Sequence, residues 1–211
     1  MSFPEKLLRS KVFIWTLLVL PGLWPVWPVF VSGNPSVGAD PLKYVLHHYG
    51  FVACVLLATV LAFTPLRVLF PKSKLALALN RHRRLVGVAG FAYALLHLTA
   101  YLFHDGWATL VHDVWAKPKT FILAGLGAFT ILLVLAITSV NAFVRWLGGK
   151  RWKNLHRLAY LAAALAAYHQ IYARKLFPVQ VLWIFGPLVV LEILRVVRQR
   201  TAANPEAREK M

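Results

Sequence analysis

Cysteine is nearly absent from this chain. The one present, Cys54, lies inside an apolar run, which excludes an intramolecular disulfide and any thiolate metal site built from this chain alone. Acidic side chains are also scarce, 7 Asp and Glu against 24 Lys and Arg, so the formal charge is +17. Such an excess points to nucleic acid only where a folded soluble face carries it. Here 59% of the 211 residues are hydrophobic and 15% charged, and the basic residues stand between apolar runs. Those runs repeatedly reach the ~20 residues that a membrane helix needs, and basic residues between them set topology. The expected fold class is therefore all-α, a polytopic membrane helical bundle with membrane lipid around it and no nucleic-acid partner.

Six transmembrane helices are expected in one domain, at about 12–31, 42–63, 85–103, 119–138, 155–173 and 179–198, followed by a polar tail over 199–211. Lys6, Arg9 and Lys11 precede the first span. A signal peptide also begins this way, but this run is long, rich in Trp and interrupted by Pro21, Pro25 and Pro28, with no small-x-small cleavage site after it. It is read as a retained, kinked span. Asp40-Pro41 is an N-cap followed by proline at the first helical position, and opens the second span. That span is expected to end before Thr64-Pro65, Pro118 to open the fourth, and Pro187 to kink the sixth. With both termini inside, the inner segments hold 19 of the 24 basic residues. The positive-inside rule then makes both termini cytoplasmic.

Histidines inside a bilayer are functional hypotheses by default. The fifth span, read as one helix from Asn154 to Tyr172, has one near each end. At about 1.5 Å per residue the step from His156 to His169 covers roughly 20 Å, so the two lie near opposite leaflets and each needs a partner from another helix. Spans three and five run in the same direction. His97 lies 13 residues after Arg84 and His169 lies 12 after Arg157, which puts these two at matched depth. Zinc wants four protein ligands, or three and a water, and nothing else at this depth supplies them. Haem asks the protein only for axial ligands, and imidazole suits iron. An iron saturated by two imidazoles has no open position for oxygen, so its work is one-electron transfer. Gly87, Gly90 and Ala94, with the alanines of span five, either leave room for a flat macrocycle or let helices pack closely.

The remaining polar residues are weighed the same way. His156, beside Arg151, Lys153 and Arg157, is read as a ligand of a second haem, a contact to quinone or flavin, or a headgroup-level residue. His82 is read as an interfacial cation or anion contact, and His47 and His48 as interfacial groups within reach of an outer haem edge. His104 and His112 are read as solvated. Glu192, the only acidic residue within a span, is read as the i,i+3 partner of Arg195, with a proton acceptor for quinol oxidation as the sharper reading. The cluster Arg81 to Arg84 is topological and able to pair with haem propionates or a flavin phosphate.

Three segments carry a resemblance: Ala94-Leu95-Leu96-His97-Leu98-Thr99-Ala100-Tyr101; the run from Gly149 through His156 to Tyr160; and Tyr168-His169, with Gly38-Ala39-Asp40-Pro41 ahead of span two. In order, spacing and six-span layout, nearly the whole chain resembles the MsrQ family. Its members are haem-binding membrane subunits of the bacterial protein-methionine-sulfoxide reductase system, within the ferric-reductase-like transmembrane group. The resemblance implies a haem b electron-transfer subunit of the inner membrane that serves a periplasmic molybdopterin-containing reductase, with catalysis on that partner. It implies FMN as well, although no flavin motif is visible. His97, His156 and His169 match the family's functional histidines position by position, whereas His82 and His48 have no counterpart. Larger members of the group append FAD and NADPH domains. This chain has no glycine-rich dinucleotide fingerprint after a strand, so electrons are expected from the quinone pool or a cytoplasmic flavin reductase. The alternative is a stand-alone transmembrane metalloreductase acting on iron at the outer face. A transporter would show paired helix interruptions, which are not seen.

Overall fold

The computed structural model describes residues 10–31, 33, 35–174 and 177–203, and every one of its long elements is helical. In chain order these are α1 (Lys11–Leu23), α2 (Val26–Phe30), α3 (Pro35–Gly38), α4 (Pro41–Leu69), α5 (Lys74–Arg81) and α6 (Arg83–Asp105). They are followed by α7 (Trp107–Val111), a π-helical turn (His112–Ala116), α8 (Thr120–Ile137), α9 (Asn141–His156), α10 (Leu158–Tyr172) and α11 (Gln180–Ala203). Lys6, Arg9, Lys175 and the tail beyond 203, on which part of the charge count rests, lie outside the described residues.

Among the described residues five helices are long and apolar enough to cross a membrane: Val12–Phe30, Pro41–Leu69, Arg83–His104, Thr120–Ile137 and Gln180–Ala202. The stretch expected as a fifth span is shorter. The helix read from Asn154 to Tyr172 divides at Arg157, which closes α9 and opens α10 while keeping helical dihedrals (φ −68°, ψ −21°). α10 alone has 15 residues. The segment before it, expected as a basic connection, is itself helical and turns at Gly148, whose φ of 72° is open to glycine.

The second span also differs from expectation. Asp40 caps α4, its side chain accepting from the Lys43 amide at 3.0 Å, with Pro41 at the first position. The helix does not stop before Thr64-Pro65, however; it runs through Pro65 to Leu69. A proline inside a helix forfeits one backbone bond and crowds the preceding turn. Here its ring is among the most fully buried side chains, so packing offsets that loss. At the fourth span the helix begins at Thr120 with Lys119 as N-cap, just after Pro118.

α4 is the central helix, packed against α6, α10 and α11, while α10 also lies along α8. The largest apolar cluster joins Leu57, Ala58 and Leu61 of α4 to Ala162 and Ala163 of α10 and to Val181, Phe185 and Leu188 of α11. Ala162 is 0% exposed, and a larger side chain there would overpack the junction at a cost of about 1–3 kcal/mol. α1 is fastened differently. The helical donor to the Pro21 carbonyl would be the amide of residue 25, a proline with no N–H. His48 Nε2 donates to that carbonyl instead, at 2.6 Å, while the Tyr49 and Tyr93 hydroxyls donate to Gly22 and Leu18 oxygens at 3.3 and 2.6 Å.

Candidate functional site

Between α4, α6, α8 and α10 lies a cavity of about 350 Å³, lined largely by apolar side chains together with His47, His97, His104 and His169. His97 enters from α6 and His169 from α10. Their ring centres are 6.0 Å apart and their planes nearly perpendicular, at 82°. Both rings are held by backbone carbonyls. His97 Nδ1 lies 2.8 Å from the Leu46 oxygen and His169 Nδ1 2.7 Å from the Phe121 oxygen. A carbonyl can only accept, so Nδ1 carries the proton in each ring. Nε2 is left as the basic nitrogen of a neutral imidazole, the form that binds metals.

The seat beneath each ring is a glycine. A Cβ at Gly50 would stand 2.8 Å from His97 Nδ1, and one at Gly125 would stand 2.7 Å from His169 Nδ1. Leu46 precedes Gly50 by one helical turn, and Phe121 precedes Gly125 by one turn. The same device therefore occurs twice: a helix offers a carbonyl to Nδ1 and, four residues on, a glycine to the ring face. Sequence reasoning named neither glycine. The available signal was a lone glycine inside an apolar helix, which usually has a packing reason. Gly90, which was named, is a helix contact, since its Cβ would meet Leu56 Cβ at 3.5 Å.

An imidazole–metal bond is about 2.0–2.1 Å and the ring centre lies roughly 1 Å behind Nε2, so two rings ligating one ion from opposite sides sit about 6 Å centre to centre. The 6.0 Å observed matches that spacing. Among the described residues no group of three or more His, Cys, Asp or Glu could hold a metal ion. The pair thus suits a metal that brings its own equatorial ligands.

The sequence matches the ferric reductase like transmembrane component family over residues 49–167. The protein-methionine-sulfoxide reductase heme-binding subunit MsrQ of Ralstonia nicotianae is 38% identical over 170 residues, 79% of this chain and 74% of that protein. MsrQ of Brucella anthropi is 34% identical over 188 residues, 88% of this chain and 82% of that protein. The chain belongs to the MsrQ family. The magnetosome protein MamZ of Magnetospirillum gryphiswaldense is also 35% identical over 170 residues, but these make up only 25% of its own length.

The other expected residues of this MsrQ-family chain fall away from the cavity or at its rim. His156 does not line it. Its ring stacks on Trp152 at 3.9 Å, Nδ1 meets the Trp152 oxygen at 3.1 Å and Nε2 meets Ser139 Oγ at 3.3 Å. Ligation of an iron by His156 would require Nε2 to leave Ser139. His48 is committed to Pro21. His82 lies at the junction of α5 and α6, and Arg81, Arg83 and Arg84 do not line the cavity either, so propionate pairing there has no geometric support. Arg84 instead bonds Asn141.

His104 is not solvated as expected. Its side chain is 25% exposed, with Nε2 3.0 Å from Asp40 and Nδ1 3.1 Å from Asp105. That contact and the Lys43 amide hold the Asp40 carboxyl below its ordinary value. His112 remains open to solvent and touches Asp113 at 3.3 Å. Glu192 pairs with Arg195 at 2.8 Å, as read, and also accepts from the Tyr160 hydroxyl at 3.0 Å.

Proposed function

We propose that this chain is a haem b electron-transfer subunit of the bacterial inner membrane, with both termini cytoplasmic. It takes electrons from quinol or a cytoplasmic flavin-dependent donor and passes them to a periplasmic molybdopterin-containing methionine sulfoxide reductase, for repair of oxidised periplasmic proteins. The relatives' name, protein-methionine-sulfoxide reductase heme-binding subunit, supports the system and the cofactor. FMN rests on family resemblance alone.

The observation that carries the reading is the His97–His169 pair, 6.0 Å between ring centres with each Nδ1–H bound to a backbone oxygen. When bound, the haem supplies a one-electron redox centre. The chain's own residues do the rest. Two neutral imidazoles offer Nε2 from facing helices, and the Leu46 and Phe121 carbonyls fix their tautomer and raise their basicity. His97 and His169 would together hold the haem and leave its iron no open position, so the reduction of sulfoxide would fall to the partner. His156, one helix length away and stacked on Trp152, belongs to the donor side.

The test is spectroscopic. Purified protein should show a reducible, six-coordinate low-spin haem spectrum. His97→Ala and His169→Ala should each lose haem or convert it to a weakened high-spin form, while His112→Ala keeps the spectrum. A full low-spin spectrum in both ligand variants would overturn the assignment.

A further inference from the structure

The cavity has one polar end, where α4 begins and α10 finishes. Lys43 and His47 stand one turn apart on α4, Gln170 stands in the last turn of α10, Arg174 follows just beyond that helix, and all four line the cavity. His47 and Gln170 lie next in sequence to the Leu46 carbonyl that holds His97 and to His169, while Lys43 is three positions outward of Leu46, about 5 Å of helix rise, and Arg174 is five positions past His169. Among the described residues neither Lys43 nor Arg174 has a carboxylate within 4 Å. His104 and Asp105 also line this end, and the two nearby acids, Asp40 and Asp105, are both turned onto His104 rather than onto Lys43 or Arg174. Gln170 is only 9% exposed, and its Oε1 is buried without a hydrogen-bond partner. A half turn of that amide presents its NH2 instead, since the two ends are interchangeable. A buried polar group left unpaired in a native structure calls for a ligand or a water.

We propose that this end of the cavity is a carboxylate subsite, in which Lys43, His47, Gln170 and Arg174 receive the paired acid groups of a ligand whose apolar body lies between His97 and His169. The inference rests on the haem reading above, and the acids are then the two propionates. The ligand must be amphiphilic, because the subsite is continuous with the apolar walls of the same cavity. A guanidinium fork matches a carboxylate in two parallel hydrogen bonds, and a lysine adds a point charge. The subsite also orients the ring, with its acid edge toward the end of the bundle that carries Asp40 and Arg174.

Reconstitution of the apo-protein with haem and with haem dimethyl ester tests this, because esterification removes both charges and leaves iron and macrocycle unchanged. Binding is read from the Soret band, and release from transfer to apomyoglobin. Wild-type protein should hold the free acid at least roughly tenfold more tightly than the ester, the scale of a lost charged contact. Lys43→Gln with Arg174→Gln should bring that ratio toward one while the low-spin spectrum persists. The wild-type comparison stands even if the double variant fails to fold.

Equal binding of haem and ester by wild-type protein would overturn the subsite alone. An unchanged ratio in a folded double variant would remove these cations from it. Failure to bind either form would overturn the haem reading and the subsite with it. Loss of the preference when anionic phospholipid is added to detergent-purified protein would assign the cations to a lipid headgroup instead, and overturn the proposal.

Discussion

Gly125 lies so close beneath His169 that a Cβ at this position would stand 2.7 Å from Nδ1 and 3.0 Å from Cε1. Gly50 stands in the same relation to His97, at 2.8 and 2.9 Å. Neither ring can withdraw without losing its bond to Phe121 or Leu46. Gly125→Ala and Gly50→Ala should therefore each cost about 1–3 kcal/mol by overpacking. More specifically, they should lower the low-spin fraction and shift the haem to higher reduction potential, because an imidazole that loses its Nδ1–H acceptor is a weaker donor. Gly87→Ala is the control, since its Cβ would meet nothing nearer than Val60 at 4.0 Å. Potentiometric titration of the three variants decides the matter, and identical potentials in all three would remove the glycines from the site.

The proposed function sets His156 on the donor side, apart from the ligand pair. Its ring stacks on Trp152 and touches Ser139, outside the cavity that holds His97 and His169. His156→Ala should leave the low-spin spectrum intact and slow reduction from the inner face. Stopped-flow reduction by a short-chain quinol measures this. An unchanged rate would make His156 a packing residue of the α8–α9 junction.

Much of this arrangement is legible in the sequence. Counting residues from the basic edge of each span puts His97 and His169 at one depth, and the structure brings their rings together. The N-cap at Asp40 and the start after Pro118 were legible because capping chemistry is local. Pro65 misled, because a proline signals a stop only when its ring is not stabilised by burial, and burial depends on neighbours far away in sequence. The division at Arg157 is equally tertiary: the ring contacts of Trp152 and His156 with the end of α8 fix where α9 ends. The acceptors for the two histidines were invisible, because a backbone carbonyl has the same chemistry at every position. Gly50 and Gly125 were hidden among glycines that pack helices.

The turn after α7 offers a pH prediction. Asp113 is buried, yet it bonds Lys119 Nζ at 2.7 Å and His112 Nδ1 at 3.3 Å. These contacts, Lys119 foremost, hold its carboxyl below the ordinary value of 3.8. The folded value is depressed, so its contribution is complete above the unfolded value and is lost as pH falls through the folded one. The turn His112–Ala116 should stay protected at pH 5 and loosen below about pH 4, and Asp113→Asn should loosen it at neutral pH. Hydrogen exchange of the Lys117 and Lys119 amides, bonded to His112 and Asp113 oxygens at 2.9 Å each, reports this directly. Protection that is independent of pH from 6 to 3 would mean that the carboxylate does not hold the turn.

The last prediction concerns whether α10, with only 15 residues, crosses the membrane. Alone it rises about 22 Å, short of a ~30 Å hydrocarbon core. Its neighbour α8 is long enough, and the chain from Trp152 to His169 is bonded to both ends of it. At one end Tyr168 donates to Thr120 and His169 bonds Phe121, at 3.0 and 2.7 Å. At the other, Trp152 Nε1 donates to the Thr138 oxygen at 3.0 Å and His156 meets Ser139 at 3.3 Å. The last turns of α9 thus complete the thickness that α10 lacks, and the pair runs antiparallel to α8 from end to end. Reporter fusions after residues 40, 112 and 174 should accordingly read periplasmic, and those after 75, 150 and 205 cytoplasmic, following the basic residues. The fusions after 150 and 174 are decisive. The same side for both would mean that α10 does not cross, and would end the argument that His97 and His169 meet at one depth on parallel helices.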